Sequence, residues 1–139
     1  MARSPRSSTA SGPAASSAPA SGPALRTFFN IARAWALSDA ESMTLLGFEE
    51  GSRSTYFKWK KDPDGARLSR DKLERLSYVF GIYKALQLLL PDPAAADSWI
   101  RRPNGAAPFG GRPALDRLLS GNVSDLYVVR EYLDAARGW

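Results

Sequence analysis

Apolar residues recur along this chain at three- and four-residue spacing, the period of an amphipathic helix. In "LRTFFNIARAWAL", Phe28, Ile31, Ala32 and Trp35 fall on one face. Ser38 then caps a short helix, with Glu41 three residues on in a capping-box pattern, and Leu45-Leu46 lead to a stop at Gly47. Gly51 and Ser52 restart the chain as the helix "RSTYFKWKK", and "DPDG" (62–65) is a strong turn. Ser69 caps the longest helix, which Pro91 ends. Its first six positions, 70–75, hold five charges, whereas 76–90 hold one, Lys84. So little polarity leaves the second half without a clear solvent face. It should be buried between two subdomains at least, and in a homodimer as well.

Downstream, "DPAAADSWI" reads as a short helix from Asp92 and "RRPNGAAPFGGRP" as a Pro- and Gly-rich loop. Pro113 suits the first turn of "ALDRLLS", which Gly121 stops. Ser124 caps a last helix with an apolar face of Leu126, Val129, Leu133 and Ala136, and Arg130 and Asp134 pair at i,i+4 on its other side. The pattern predicts an all-α fold of about seven helices in two lobes, an N-terminal helix-turn-helix bundle (25–90) joined by the long helix to a small C-terminal lobe (91–139). Only four Val and three Ile occur in the chain, too few to supply a sheet. Residues 1–24 are almost wholly Ser, Ala, Pro and Gly and are expected to be a disordered tail, since they bury too little to offset ordering entropy.

Composition narrows the chemistry. Hydrophobic residues make up 44% of 139, enough for a core. Cys and His are both absent, which removes disulfides, thiol nucleophiles, His bases and Cys/His zinc sites. No paired-carboxylate motif or phosphate-cradling glycine loop is present, so no catalytic residue, cofactor or metal ligand is expected. No run of apolar residues reaches bilayer-spanning length and no apolar signal core follows the N-terminal arginines; the expected compartment is the cytoplasm, with no membrane partner.

The formal net charge of +5 is unevenly spread. Residues 51–75 carry eight basic and four acidic groups, while 25–50 are net acidic and 76–139 nearly balanced. The excess surrounds "SDAESMTLLGFEEGSRSTYFKWKK", which fits a helix-turn-helix: one helix ending at Gly47, Phe48 plugging the turn, and a second helix suited to the major groove. Tyr56 and Trp59 should face inward. The expected DNA-binding residues are Arg53, Ser54, Thr55, Lys58, Lys60 and Lys61, with Phe57 beside them and Arg67 and Arg70 flanking. A pair of short helices in an ordinary bundle, with a solvated charged face, fits the same pattern.

The stretch "SWIRRPNGAAPFGGRPALDRLLSGNVSDLYVVREYLDAARGW" resembles the C-terminal toxin-binding module of the Xre/MbcA/ParS antitoxins. The shared features are a Trp before "RRPN", then "FGGRPALDRLLSG", then "VVREYLDAARGW"; the region upstream is similar to that family's Xre-like helix-turn-helix domain, so the resemblance spans roughly 25–139. The chain differs from the family in extra Gly-Ala residues before Phe109 and one glycine fewer before its terminal tryptophan. The resemblance implies a type II toxin–antitoxin system. The partner would be a RES-domain toxin from an adjacent gene that consumes NAD, by degradation or by ADP-ribosylation. The antitoxin, a homodimer within the complex, would occlude the toxin's NAD pocket with its C-terminal end and bind operator DNA to repress its own operon. On this reading the toxin-binding residues are Arg130, Asp134, Arg137, Gly138 and Trp139. The chemistry is compatible: an indole stacks at small rotamer cost, a terminal carboxylate pairs with a toxin arginine, Arg137 pairs with a toxin acid, and Gly138 permits a bend. Alternatively Trp139 folds back on Trp99 or Tyr132. Asn104, Phe109, Gly110, Gly111 and Arg112 are expected to shape their own loop. The rival functions are a stand-alone helix-turn-helix regulator without a toxin, and an adaptor whose helix-turn-helix no longer binds DNA.

Overall fold

A computed structural model of the chain describes residues 13–138, with side chains from residue 21 onward. These residues form α1 (Pro13–Ala34), α2 (Asp39–Leu46), α3 (Arg53–Lys61), α4 (Arg70–Leu89), α5 (Pro93–Ser98), α6 (Ala114–Leu118) and α7 (Val123–Ala136), with 3-10 turns at Pro63–Gly65 and Trp99–Arg101. Among the described residues there is no strand, only an isolated bridge between Pro103 and Pro113. The all-α architecture expected from the periodicity is the one observed.

α1 starts well before Leu25, so for residues 13–24 the expectation of a disordered tail is corrected. The small residues that read as loop-forming are what the packing requires. Ser21 and Gly22 are buried, and Ser21 Oγ accepts a hydrogen bond from the Leu68 N–H at 3.4 Å. A Cβ on Gly22 would come within 2.3 Å of Asp64 Oδ1 and 3.2 Å of Asp64 Cα, so a larger residue there would displace the Asp64 carboxylate and press α1 off the 63–65 turn. Residues 1–12, with Arg3 and Arg6, lie outside the described residues.

Local signals account for most other boundaries. Ser38 and Glu41 close the capping box on α2, and Gly47 ends it at φ 78°. Ser69 and Asp92 each accept a hydrogen bond from the N–H three residues on, starting α4 and α5. Three expectations are corrected. Ser52 stands at the start of α3 without a side-chain cap bond. α6 ends at Leu118, ahead of Gly121. α7 begins at Val123, and Ser124 does not cap it; Ser120 Oγ does the local work instead, donating to Asp125 Oδ2 at 2.6 Å and accepting from the Asn122 N–H at 3.1 Å.

One continuous core joins the two lobes, running from Phe28, Trp35, Leu46 and Tyr56 to Ile100, Leu118 and Val129. α4 is its spine: α7 lies along it, and α1, α2 and α5 pack against other sides. Leu76, Val79, Ile82, Ala85 and Leu86 of α4 are buried, with Leu126, Val129 and Leu133 of α7. The apolar half of α4 is therefore covered largely within the chain, and a strip through Glu74, Ser77, Lys84 and Leu88 stays exposed. Ala136, expected on the apolar face of α7, is exposed.

Two arginines bolt the lobes together. Arg101, just after α5, donates from Nε to Trp35 O (3.1 Å) and from Nη2 to Ala36 O (2.8 Å), with Glu41 Oε1 at 3.5 Å. It thereby closes the carboxyl end of α1, where Ala36 holds φ 56° and the Leu37 N–H reaches back to Ala32 O. Arg75 of α4 donates to Gly121 O at 3.0 Å, tying the turn before α7 to the spine.

Candidate nucleic-acid and partner-binding faces

α2, the tight turn and α3 set one helix against another around Tyr56. The Tyr56 ring is buried, with Phe29 and Phe48 edge-on at 5.8 Å each, and Trp59 packs on Phe48 at 5.2 Å. Phe48 thus fills the turn as expected, roofed by Lys72, whose Nζ lies 4.4 Å from the ring centroid and donates to Gly47 O. Burial in this position lowers the Lys72 pKa from its ordinary value.

The Tyr56 hydroxyl donates to Asp39 Oδ1 at 2.8 Å, and Lys60 Nζ donates to the same oxygen at 2.7 Å. The Lys60 hydrogen bond, then the Tyr56 hydrogen bond, hold the Asp39 carboxyl below its ordinary pKa. Burial, and then the Asp39 bond, push the Tyr56 phenol well up. This three-residue junction fixes the angle of α3 on α2.

At about 100° per residue the rest of α3 sorts itself by face. Arg53, Ser54, Phe57, Lys58 and Lys61 share the exposed outer side. Phe57 keeps 37% of its surface exposed, and the Arg53 guanidinium lies over its ring at 5.0 Å. Among the described residues Arg53, Lys58 and Lys61 have no ion-pair partner. Two of the six expected DNA-binding residues stand apart. Lys60 is engaged with Asp39, and Thr55, though exposed, borders a cleft shared with Gly47, Asp71 and Lys72.

In the C-terminal lobe the loop from 103 to 113 holds itself. Asn104 Oδ1 accepts from the Ala106 N–H at 2.9 Å, and its backbone exchanges bonds with Gly111 and Arg112. Gly110 and Gly111 take φ 58° and 88°. Phe109 is buried edge-on against Tyr132 (5.1 Å) and Trp99 (5.9 Å), which stack on each other. Arg117 closes the loop, donating to Pro108 O at 2.7 Å and pairing with Asp125 at 2.9 Å.

The residues expected to meet a toxin form a row on α7. Asp134 stands between Arg130 (Nε to Oδ2, 3.5 Å) and Arg137 (Nη1 to Oδ1, 3.8 Å), and Gly138 follows at φ 84°. Arg130 is not wholly on the outer side, as expected, but is laid against α4. It donates to Ser77 O at 3.4 Å, and a Cβ on Gly81 would meet its guanidinium at 2.3 Å. Its seat exists because position 81 is glycine. Trp139 lies outside the described residues.

Two family models divide the chain at the carboxyl half of α4. Residues 15–81 match the antitoxin Xre-like helix-turn-helix domain. Residues 85–138 match the antitoxin Xre/MbcA/ParS C-terminal toxin-binding domain. The chain belongs to the Xre/MbcA/ParS antitoxin family. It is also 50% identical over 114 residues to "Uncharacterized protein y4oB" of Sinorhizobium fredii (strain NBRC 101917 / NGR234), covering 82% of this chain and 84% of that one. Among the described residues of the antitoxin no helix is long and apolar enough to cross a membrane.

Sequence reasoning missed Arg101 and Arg75 as the residues that join the antitoxin's two modules. "RRPN" carries no sign of which arginine reaches back 65 residues to Ala36. Arg75 sits in a charged turn of α4 that resembles any solvated helix start.

Proposed function

We propose that this antitoxin neutralises a RES-domain, NAD-consuming toxin encoded by an adjacent gene, engaging it through the carboxyl end of α7, and that as a homodimer it binds operator DNA through the outer face of α3. Membership of a family with both a helix-turn-helix and a toxin-binding module supports the pairing of roles. For the toxin contact, the supporting observation is the row Arg130–Asp134–Arg137, which is followed by Gly138, where a positive φ ends the helical path of α7. Arg137 is the group in this row fit to pair with an acid of the partner, and Trp139 beyond it is the group fit to stack in a nucleotide pocket. For DNA, the supporting observation is the outer face of α3, where Arg53, Lys58 and Lys61, without ion-pair partners among the described residues, surround an aromatic ring.

The test is co-expression with the neighbouring gene's product, following cellular NAD and co-purification. The neighbour alone should drain NAD, and the antitoxin should restore it in a stable complex. Deleting Arg137-Gly138-Trp139 should weaken neutralisation while leaving the melting temperature within about 2 °C, because the deletion begins beyond Leu133, the last core residue among those described. Full protection by the truncated chain overturns the role given to the α7 end. If no partner is retained and NAD does not move, the stand-alone regulator becomes the better reading.

A further inference from the structure

The outer face of α3 carries a feature that phosphate binding does not use. Phe57 stands in the middle of the basic face, 37% exposed, between Arg53 one turn before it and Lys61 one turn after it. Only two other large hydrophobic side chains among the described residues, Leu88 and Tyr127, are as open, and neither lies on α3. The ring is also held in place. Its inner side packs edge-on against buried Tyr56 at 5.0 Å, and the Arg53 guanidinium covers part of its face. Tyr56 in turn is pinned to Asp39. A phenyl ring presented to solvent gains nothing from a phosphate. In a major groove it meets one apolar group, the 5-methyl of thymine.

We propose that Phe57 is a specificity-determining residue that reads a thymine methyl in the major groove. Arg53, 5.0 Å from the ring, has donors left over for the guanine edge of a neighbouring base pair, since successive base pairs are about 3.4 Å apart. Lys58 and Lys61 flank the ring and supply the phosphate contacts that carry no sequence information. This inference rests on the proposed DNA binding by α3 and goes beyond it by naming the chemical group that is read.

The test uses the full-length antitoxin and the double-stranded DNA immediately upstream of its own reading frame, prepared once with thymine and once with uracil in place of every thymine. Uracil keeps the pairing edge and loses only the methyl. Burying one methyl corresponds to about a fourfold change in affinity. The wild-type chain should therefore bind the thymine duplex about fourfold more tightly per contact, at a fixed salt concentration. Phe57→Ala should bind both duplexes alike, at the level of wild type on uracil DNA, with its far-UV circular dichroism unchanged. The wild-type comparison stands even if that variant folds poorly. Salt-dependent binding without a thymine preference overturns the role of Phe57 and leaves DNA binding intact. A thymine preference that persists in a folded Phe57→Ala assigns the methyl contact to another residue and also overturns it. No binding to either duplex at low salt overturns the DNA reading itself.

Discussion

Replacing Arg101 by alanine removes the guanidinium that closes α1 and joins the two modules. Two hydrogen bonds to backbone carbonyls are lost, at 3.1 Å to Trp35 O and 2.8 Å to Ala36 O, with a looser pairing to Glu41 at 3.5 Å. A hydrogen bond involving a charged group contributes about 1.5–3 kcal/mol when well shielded. The Arg101 side chain is 39% exposed, so water refills part of each site and the lower end of that range applies. A cation at a helix carboxyl terminus adds about 0.3–1 kcal/mol. Because these contributions overlap, the expected loss is about 2–3 kcal/mol. With a urea slope of about 1.5 kcal/mol per molar, the unfolding midpoint should fall by roughly 1.3–2 M. Arg101→Lys should recover less than half, because an ammonium on a flexible stem does not fork across two carbonyls. The assay is equilibrium urea unfolding followed by far-UV ellipticity and by tryptophan fluorescence, the two signals coinciding in one transition. A loss below about 0.5 kcal/mol for Arg101→Ala would refute the reasoning, since solvent would then serve the α1 carbonyls as well as the arginine does.

Two further outcomes follow from side chains already placed. Phe109→Ala empties the aromatic cluster with Trp99 and Tyr132 and should cost about 3–5 kcal/mol, read as a lowered melting temperature and loss of near-UV ellipticity; a loss under 1 kcal/mol would mean the ring is not a core element. Asp39 is held ionised by Lys60 and Tyr56, so between its lowered folded pKa and the ordinary value of 3.8 the unfolded chain binds more of the proton. Its contribution is fully present above the ordinary value and is lost as pH falls through the folded one, so stability should drop on acidification below about pH 4. The carboxylate is 38% exposed, which keeps the effect small. Asp39→Asn should flatten that limb of the profile in urea titrations between about pH 2 and 5, and an unchanged limb would assign it to other carboxylates.

Periodicity and capping made the helices legible because both act within a few residues. Ser38 with Glu41, Gly47, Ser69 and Asp92 stand where the sequence predicts, each satisfying a backbone group it can reach locally. The start of α1 was illegible for the opposite reason. Ser21 and Gly22 look like tail residues until the 63–65 turn and Leu68 lie against them. On α3, Tyr56 and the outer face followed from the helical period, whereas Lys60 read as one more open cation. Its withdrawal to Asp39 depends on how α2 crosses α3, which no spacing encodes. On α7 the i,i+4 pairing of Arg130 with Asp134 was readable, and the seat of Arg130 over Gly81 was not. The family motifs carried the assignment of the C-terminal module; charge and spacing alone left it an amphipathic helix and a glycine-rich loop.

The shared spine has a consequence for turnover. α4 belongs to the helix-turn-helix half by its first turns and is roofed by α7 along its later ones, with Leu76, Val79 and Ile82 beneath. A protease that clipped the chain just ahead of Gly121 would strip that roof and leave a row of greasy side chains facing water, and the Arg75 clamp would lose its carbonyl at Gly121. The half that remained would have little reason to stay folded. A single cut there therefore commits the helix-turn-helix half to degradation together with the α7 end.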